Sequence, residues 1–124
     1  MSRRRVSHLA GAAFALAAAL PALGAGDAAR GKDAYETYCT ACHSPDKNRV
    51  GPAHRGVFGR QAGTAQGYQY SSALAASRLV WNDETLDRWL ANPEALVPGQ
   101  KMGVQVPAAE DRRDIIEYLK TLSR

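Results

Sequence analysis

Cys39, Cys42 and His43 are the residues whose types and spacing most directly imply chemistry. They lie in Cys39-Thr40-Ala41-Cys42-His43, which holds the only two cysteines of the chain. A Cys-x-x-Cys pair serves a disulfide, a thioredoxin-like redox centre, half of a zinc site or thioether attachment of a c-type haem. A redox motif belongs beside a βαβ pattern, and a zinc site needs a second Cys or His pair at tight spacing; the chain has neither. The histidine directly after the second cysteine is what haem attachment requires. Two thiols add across the two vinyl groups of the porphyrin, and the next side chain becomes an axial ligand of the iron. The expectation is one haem c, covalent through Cys39 and Cys42, with His43 as its first axial ligand.

Met102 is the only methionine after Met1, in Pro98-Gly99-Gln100-Lys101-Met102, fifty-nine residues beyond His43. A lone methionine is ordinarily adaptable core filler. Beside an attachment motif it is the sole thioether for the sixth coordination position. His54, only eleven residues from His43, reads as a surface histidine, and His8 falls in the N-terminal segment. With His43 and Met102 filling both axial positions no site is open to a substrate, so the chemistry is electron transfer. The soft thioether favours ferrous iron and raises the potential relative to two histidines.

The N-terminus carries Arg3-Arg4-Arg5, then an apolar run from Leu9 to Leu23 rich in Ala and Leu, then small residues. That is a secretory signal over 1–25, cleaved after Gly24 or Ala25. The alternative, an uncleaved anchor, needs ~20 apolar residues, more than the run supplies. The expected location is the periplasm, with no stable membrane insertion after cleavage. From Gly26 onward 13 Lys and Arg face 12 Asp and Glu, against a formal +4 for the whole chain. Without a basic cluster or interleaved aromatic residues there is no nucleic-acid partner. What remains is a single domain, 26–124, whose core is thin enough that a porphyrin would complete it.

The elements that must position these residues read as helices. Asp27 caps a helix from Ala28 to about Cys39, with Gly31 and Tyr35 on one face. From Ser44 to Gly67 the Gly-, Pro- and Arg-rich chain is loop, and a short helix covers Ser72 to Ser77. A firmer helix starts at Asn82 or Asp83 and stops at Asn92-Pro93. The last opens with Pro107 at its first position and buries Ile115, Ile116, Leu119 and Leu122, with Asp111, Arg112, Asp114 and Lys120 on the other faces. No alternating strand pattern occurs, so the class is small all-α.

The ordered motifs resemble the class I cytochromes c, especially the branch of mitochondrial cytochrome c and bacterial cytochrome c2. The likeness runs from Gly26 to Leu122 and rests on Gly31 and Tyr35, Cys39 to His43, and Val50-Gly51-Pro52. It continues through Gly56-Val57-Phe58-Gly59-Arg60, Gly67-Tyr68-Gln69-Tyr70-Ser71, Trp81, Leu90-Ala91-Asn92-Pro93, the Met102 loop and Asp114 to Leu119. The resemblance implies a small fold of three to five helices and long loops around the haem. It implies that the Pro52 carbonyl receives the free N–H of His43. Arg60, Tyr70, Trp81 and, with a further hydroxyl, Ser71 would hold the haem propionates; Tyr68 is a less secure candidate. Three residues depart from the family's pattern: Trp89 for a tyrosine beside the methionine sulfur, Gln100 for a threonine near a propionate, and Leu74 for a polar residue. Basic residues around the haem edge are thinned to Lys47, Arg49 and Lys101, opposed by Glu94. The implied function is a monomeric one-electron carrier between redox proteins: membrane cytochrome complexes, oxidases or periplasmic dehydrogenases. The alternatives are an electron-accepting subunit of one dehydrogenase, a peroxidase or gas-binding haem protein if Met102 does not bind, and a haem-free disulfide module.

Overall fold

The computed structural model describes Ala15 and residues 25–123. Apart from Ala15 and Ala25, the signal segment expected at 1–25 lies outside the described residues. Helix α1 (Ala28–Tyr38) begins where the Asp27 carboxylate accepts the Arg30 N–H at 2.8 Å, and ends at Cys39. Helix α5 (Ala109–Thr121) lies across it. Gly31 sets that crossing, because a Cβ there would sit 1.9 Å from the Asp114 carbonyl oxygen. Only a glycine lets the two backbones approach so closely. Tyr35, one turn on, is buried with Ile115, Ile116 and Leu119 of α5.

Helix α2 (Ser72–Ala76) is capped by Ser71, and α3 (Asp83–Ala91) by a reciprocal pair in which Asn82 and Thr85 each accept the other's backbone N–H. Leu86, Trp89 and Leu90 form the buried face of α3. Among the described residues the elements are five helices and one isolated bridge between Gln61 and Val80. The all-α class is as expected.

Three details differ from the sequence reading. Asn92-Pro93 does end α3, but Asn92 also accepts the Ala95 N–H at 3.2 Å and opens a further turn, α4 (Pro93–Leu96). The last helix starts two residues past Pro107, because the Arg112 guanidinium occupies the carbonyls of Val106 and Pro107 at 3.0 and 2.9 Å. Asp114 points inward: only 3% exposed, it accepts the Asp27 N–H at 2.6 Å and Arg30 Nε at 2.9 Å. Its burial ties the start of α1 to the middle of α5, and the guanidinium bond holds its carboxyl below the usual range.

Candidate functional site

α1 delivers the first three functional groups. Past Tyr38 the chain folds into a tight turn in which the N–H groups of Cys42 and His43 both reach the Cys39 carbonyl, at 3.1 and 2.8 Å. Both thiols are free and both line one cavity of about 300 Å³. Burial pushes the Cys39 thiol up to about 12.

The His43 ring is fixed from behind. Its Nδ1 lies 2.9 Å from the Pro52 carbonyl, which can only accept, so Nδ1 carries the proton and Nε2 keeps a free lone pair. Gly51 allows this approach, since a Cβ there would come within 2.2 Å of the imidazole. Burial lowers the pKa of His43, which keeps the ring neutral and able to bind a metal.

All nine residues assigned a cofactor-binding role line this cavity: Cys39, Cys42, His43, Pro52, Arg60, Tyr70, Ser71, Trp81 and Met102. Met102 is partly buried against the core. Arg60 is held beside Trp81 by two backbone bonds, Trp81 N–H to the Arg60 carbonyl at 2.9 Å and Gly59 N–H to the Trp81 carbonyl at 2.7 Å. Its Nη1 donates to the Arg55 carbonyl at 3.1 Å, while its Nε is buried without a partner. A buried, charged donor without an acceptor calls for an anion. The hydroxyl of Tyr70 accepts the Ala65 N–H at 3.0 Å, which leaves its own proton to donate. Ser71 accepts the Leu74 N–H at 3.1 Å and likewise keeps its proton. Tyr68 is committed elsewhere, donating to the Val50 carbonyl at 2.7 Å.

These features fit a haem on the chain's own terms. Two thiols and a neutral imidazole come from one turn, a thioether shares their cavity, and an orphaned guanidinium N–H awaits a carboxylate. Apolar side chains, among them Leu74, Leu86, Leu90, Ile115 and Leu119, line the rest. Trp89 is buried edge-on against Trp81, ring centroids 5.3 Å apart. No group of three or more His, Cys, Asp or Glu among the described residues could hold a metal ion by itself.

His54 is not the surface histidine expected. Its ring stacks on His43 and its Nδ1 lies 2.8 Å from the Tyr35 hydroxyl. Burial first, and then the nearness of His43 and the charge of Arg60, push its pKa down to about 3, so the ring is neutral. Its place two residues after Pro52, whose carbonyl meets His43, is the signal that could have revealed it. Val106 is 1% exposed, whereas Val50 is 74% and Val104 36% exposed.

The family model described as cytochrome c matches residues 28–123. Cytochrome c of Euglena viridis is 49% identical over 100 residues, covering 78% of this chain and 98% of that protein. Cytochrome c2 of Rhodopila globiformis is 43% identical over 100 residues, covering 78% and 94%. Among solved structures, cytochrome cH from Methylobacterium extorquens superposes with a TM-score of 0.74 at 47% identity, covering 77% of this chain and 99% of its own. Cytochrome c2 from Rhodospirillum centenum gives 0.75 at 36% identity, covering 80% and 100%. With the matched span running through all five helices and the Cys39-to-His43 turn, the chain belongs to the class I cytochromes c, electron-transfer proteins that carry covalent haem c.

Proposed function

We propose that the chain is a periplasmic one-electron carrier in which His43 and Met102 are the axial ligands of a single haem bound through Cys39 and Cys42. Removal of 1–25, a reading supported by the Arg3-Arg4-Arg5 and apolar N-terminal pattern, leaves 26–124 as the haem domain, which acts as a monomer. Its partners are other redox proteins: membrane cytochrome complexes, oxidases or periplasmic dehydrogenases.

One observation carries the ligation: the Nδ1 bond to Pro52 leaves His43 Nε2 free in the cavity that Met102 also lines. Bound haem supplies the ferric/ferrous couple. The chain supplies everything else. Pro52 orients the imidazole and raises its basicity. Arg60 Nε, the Tyr70 hydroxyl, Trp81 and Ser71 receive the haem carboxylates. The apolar lining excludes water and disfavours the extra charge of the ferric state, which raises the potential. A pocket built on helices and tied loops changes little between oxidation states, so electron exchange is fast.

An equilibrium redox titration of the haem-loaded protein tests this. Wild type should cycle reversibly by one electron, and Met102→Ala should have a lower potential and bind exogenous ligands. An unchanged potential in Met102→Ala would mean that another group holds the sixth position.

A further inference from the structure

We propose that Glu94 and Gln100 are a pair of positioning residues that hold the Met102 loop against loss of its sulfur from the iron, an inference that rests on Met102 being an axial ligand. The Glu94 carboxylate, in the first turn of α4, accepts the Gly99 N–H at 2.9 Å through Oε1 and the Gln100 side-chain amide at 3.1 Å through Oε2. Gln100 in turn accepts the Met102 N–H through its own Oε1. A carboxylate can only accept, so the NH2 of Gln100 must face Glu94 and its carbonyl must face Met102. One exposed anion thus orients the group that fixes the methionine backbone.

The turn that returns Gln100 over Glu94 depends on Gly99, whose φ of 91° lies in the left-handed region. On the far side of the loop Val106 donates to the Leu90 carbonyl at 2.8 Å, and Arg112 holds the Val106 carbonyl at 3.0 Å. The Met102 N–H bond is a local tie between these two anchors. Because the bonds to Glu94 are solvent-exposed, their loss should free the loop without weakening the fold as a whole. That difference separates a positioning role from a merely structural one.

The test uses the ferric haem-loaded protein, with imidazole as a probe that competes with the methionine, followed through the sulfur-to-iron charge-transfer band. In Glu94→Gln one carbonyl oxygen must serve two donors. In Gln100→Glu two carboxylates face each other with no donor between them. The double variant reverses the polarity: the amide at position 94 donates to the carboxylate at position 100, which still accepts the Met102 N–H, and the amide carbonyl accepts the Gly99 N–H. Each single variant should bind imidazole roughly fivefold more tightly, the size of one net hydrogen bond. The double variant should return to within about twofold of wild type. Denaturation midpoints should barely move. Wild-type imidazole affinity in both single variants, or no recovery in the double variant, would overturn the proposal. A wild-type ferric protein without the band would overturn the methionine ligation and this proposal with it, whereas a band present with unaffected single variants would remove this proposal alone.

Discussion

The ring of His54 lies stacked on that of His43, with centroids 4.1 Å apart and planes 19° from parallel. The same ring holds the Tyr35 hydroxyl, whose side chain is 1% exposed. His54→Leu would leave that hydroxyl buried without a partner, at a cost of about 1–3 kcal/mol. Tyr35→Phe strands the imidazole nitrogen in the same way. Denaturant unfolding of the double variant should show less loss than the sum, with a coupling of about 1 kcal/mol. Strictly additive losses would show that the bond contributes nothing.

Where α1 crosses α5, Gly31→Ala should destabilise by about 3 kcal/mol or more, because the Asp114 carbonyl it meets is backbone and cannot swing aside. The Asp114 side chain sets a pH dependence. Its carboxyl titrates below the usual carboxylate range in the fold, chiefly through the Arg30 hydrogen bond. The folded state therefore binds fewer protons than the unfolded state in that window. Its contribution is complete above about pH 4 and is lost as pH falls through the folded value. Acid titration of unfolding stability should show Asp114→Asn flatter than wild type below about pH 4; parallel curves would contradict the assignment.

Arg60 supplies a positive charge next to the cavity and a buried Nε that no protein group accepts. Its loss removes a cation that favours the less positive, ferrous state. Arg60→Gln should lower the reduction potential, and Arg60→Lys should restore it only in part, because an ammonium carries no donor at the Nε position. A potential equal to wild type in Arg60→Gln would mean that this guanidinium does not face the haem carboxylates.

Electrostatic docking should be weak. Lys47, Arg49 and Lys101 are exposed, but Glu94 is exposed as well, and the apolar residues Val50 and Val104 line the open side of the cavity. Steering by one sign of charge falls steeply as salt shortens the Debye length to about 8 Å. The bimolecular electron-transfer rate with its partner should therefore change only shallowly across an ionic-strength series. A fall of tens-of-fold between low and physiological salt would reveal a basic docking face.

Local signals made most of the site legible in sequence. Cys39, Cys42 and His43 are contiguous, so one turn decides their geometry, and the caps at Asp27 and Asn82 mark helix starts within three residues of their partners. What the sequence leaves hidden depends on distant partners. Asp114 looks like a solvated carboxylate until Asp27 and Arg30, more than eighty residues away, close over it. His54 looks exposed because it falls in a Gly-, Pro- and Arg-rich loop; Tyr35, on α1, draws it inward. Gln100 stands out as a departure from its family, but its role depends on Glu94 and the turn at Gly99. Asn92 ends one helix and begins another, and a stop signal alone does not announce the restart.

In the proposed function, His43 and Met102 together close the iron of a single covalent haem. The most direct measurement is the near-red absorption spectrum of the ferric haem-loaded protein, recorded for wild type and Met102→Ala. A sulfur-to-iron charge-transfer band present in wild type and absent in Met102→Ala is the predicted result. Its absence from wild type, or its survival in Met102→Ala, would show that Met102 is not the sixth ligand.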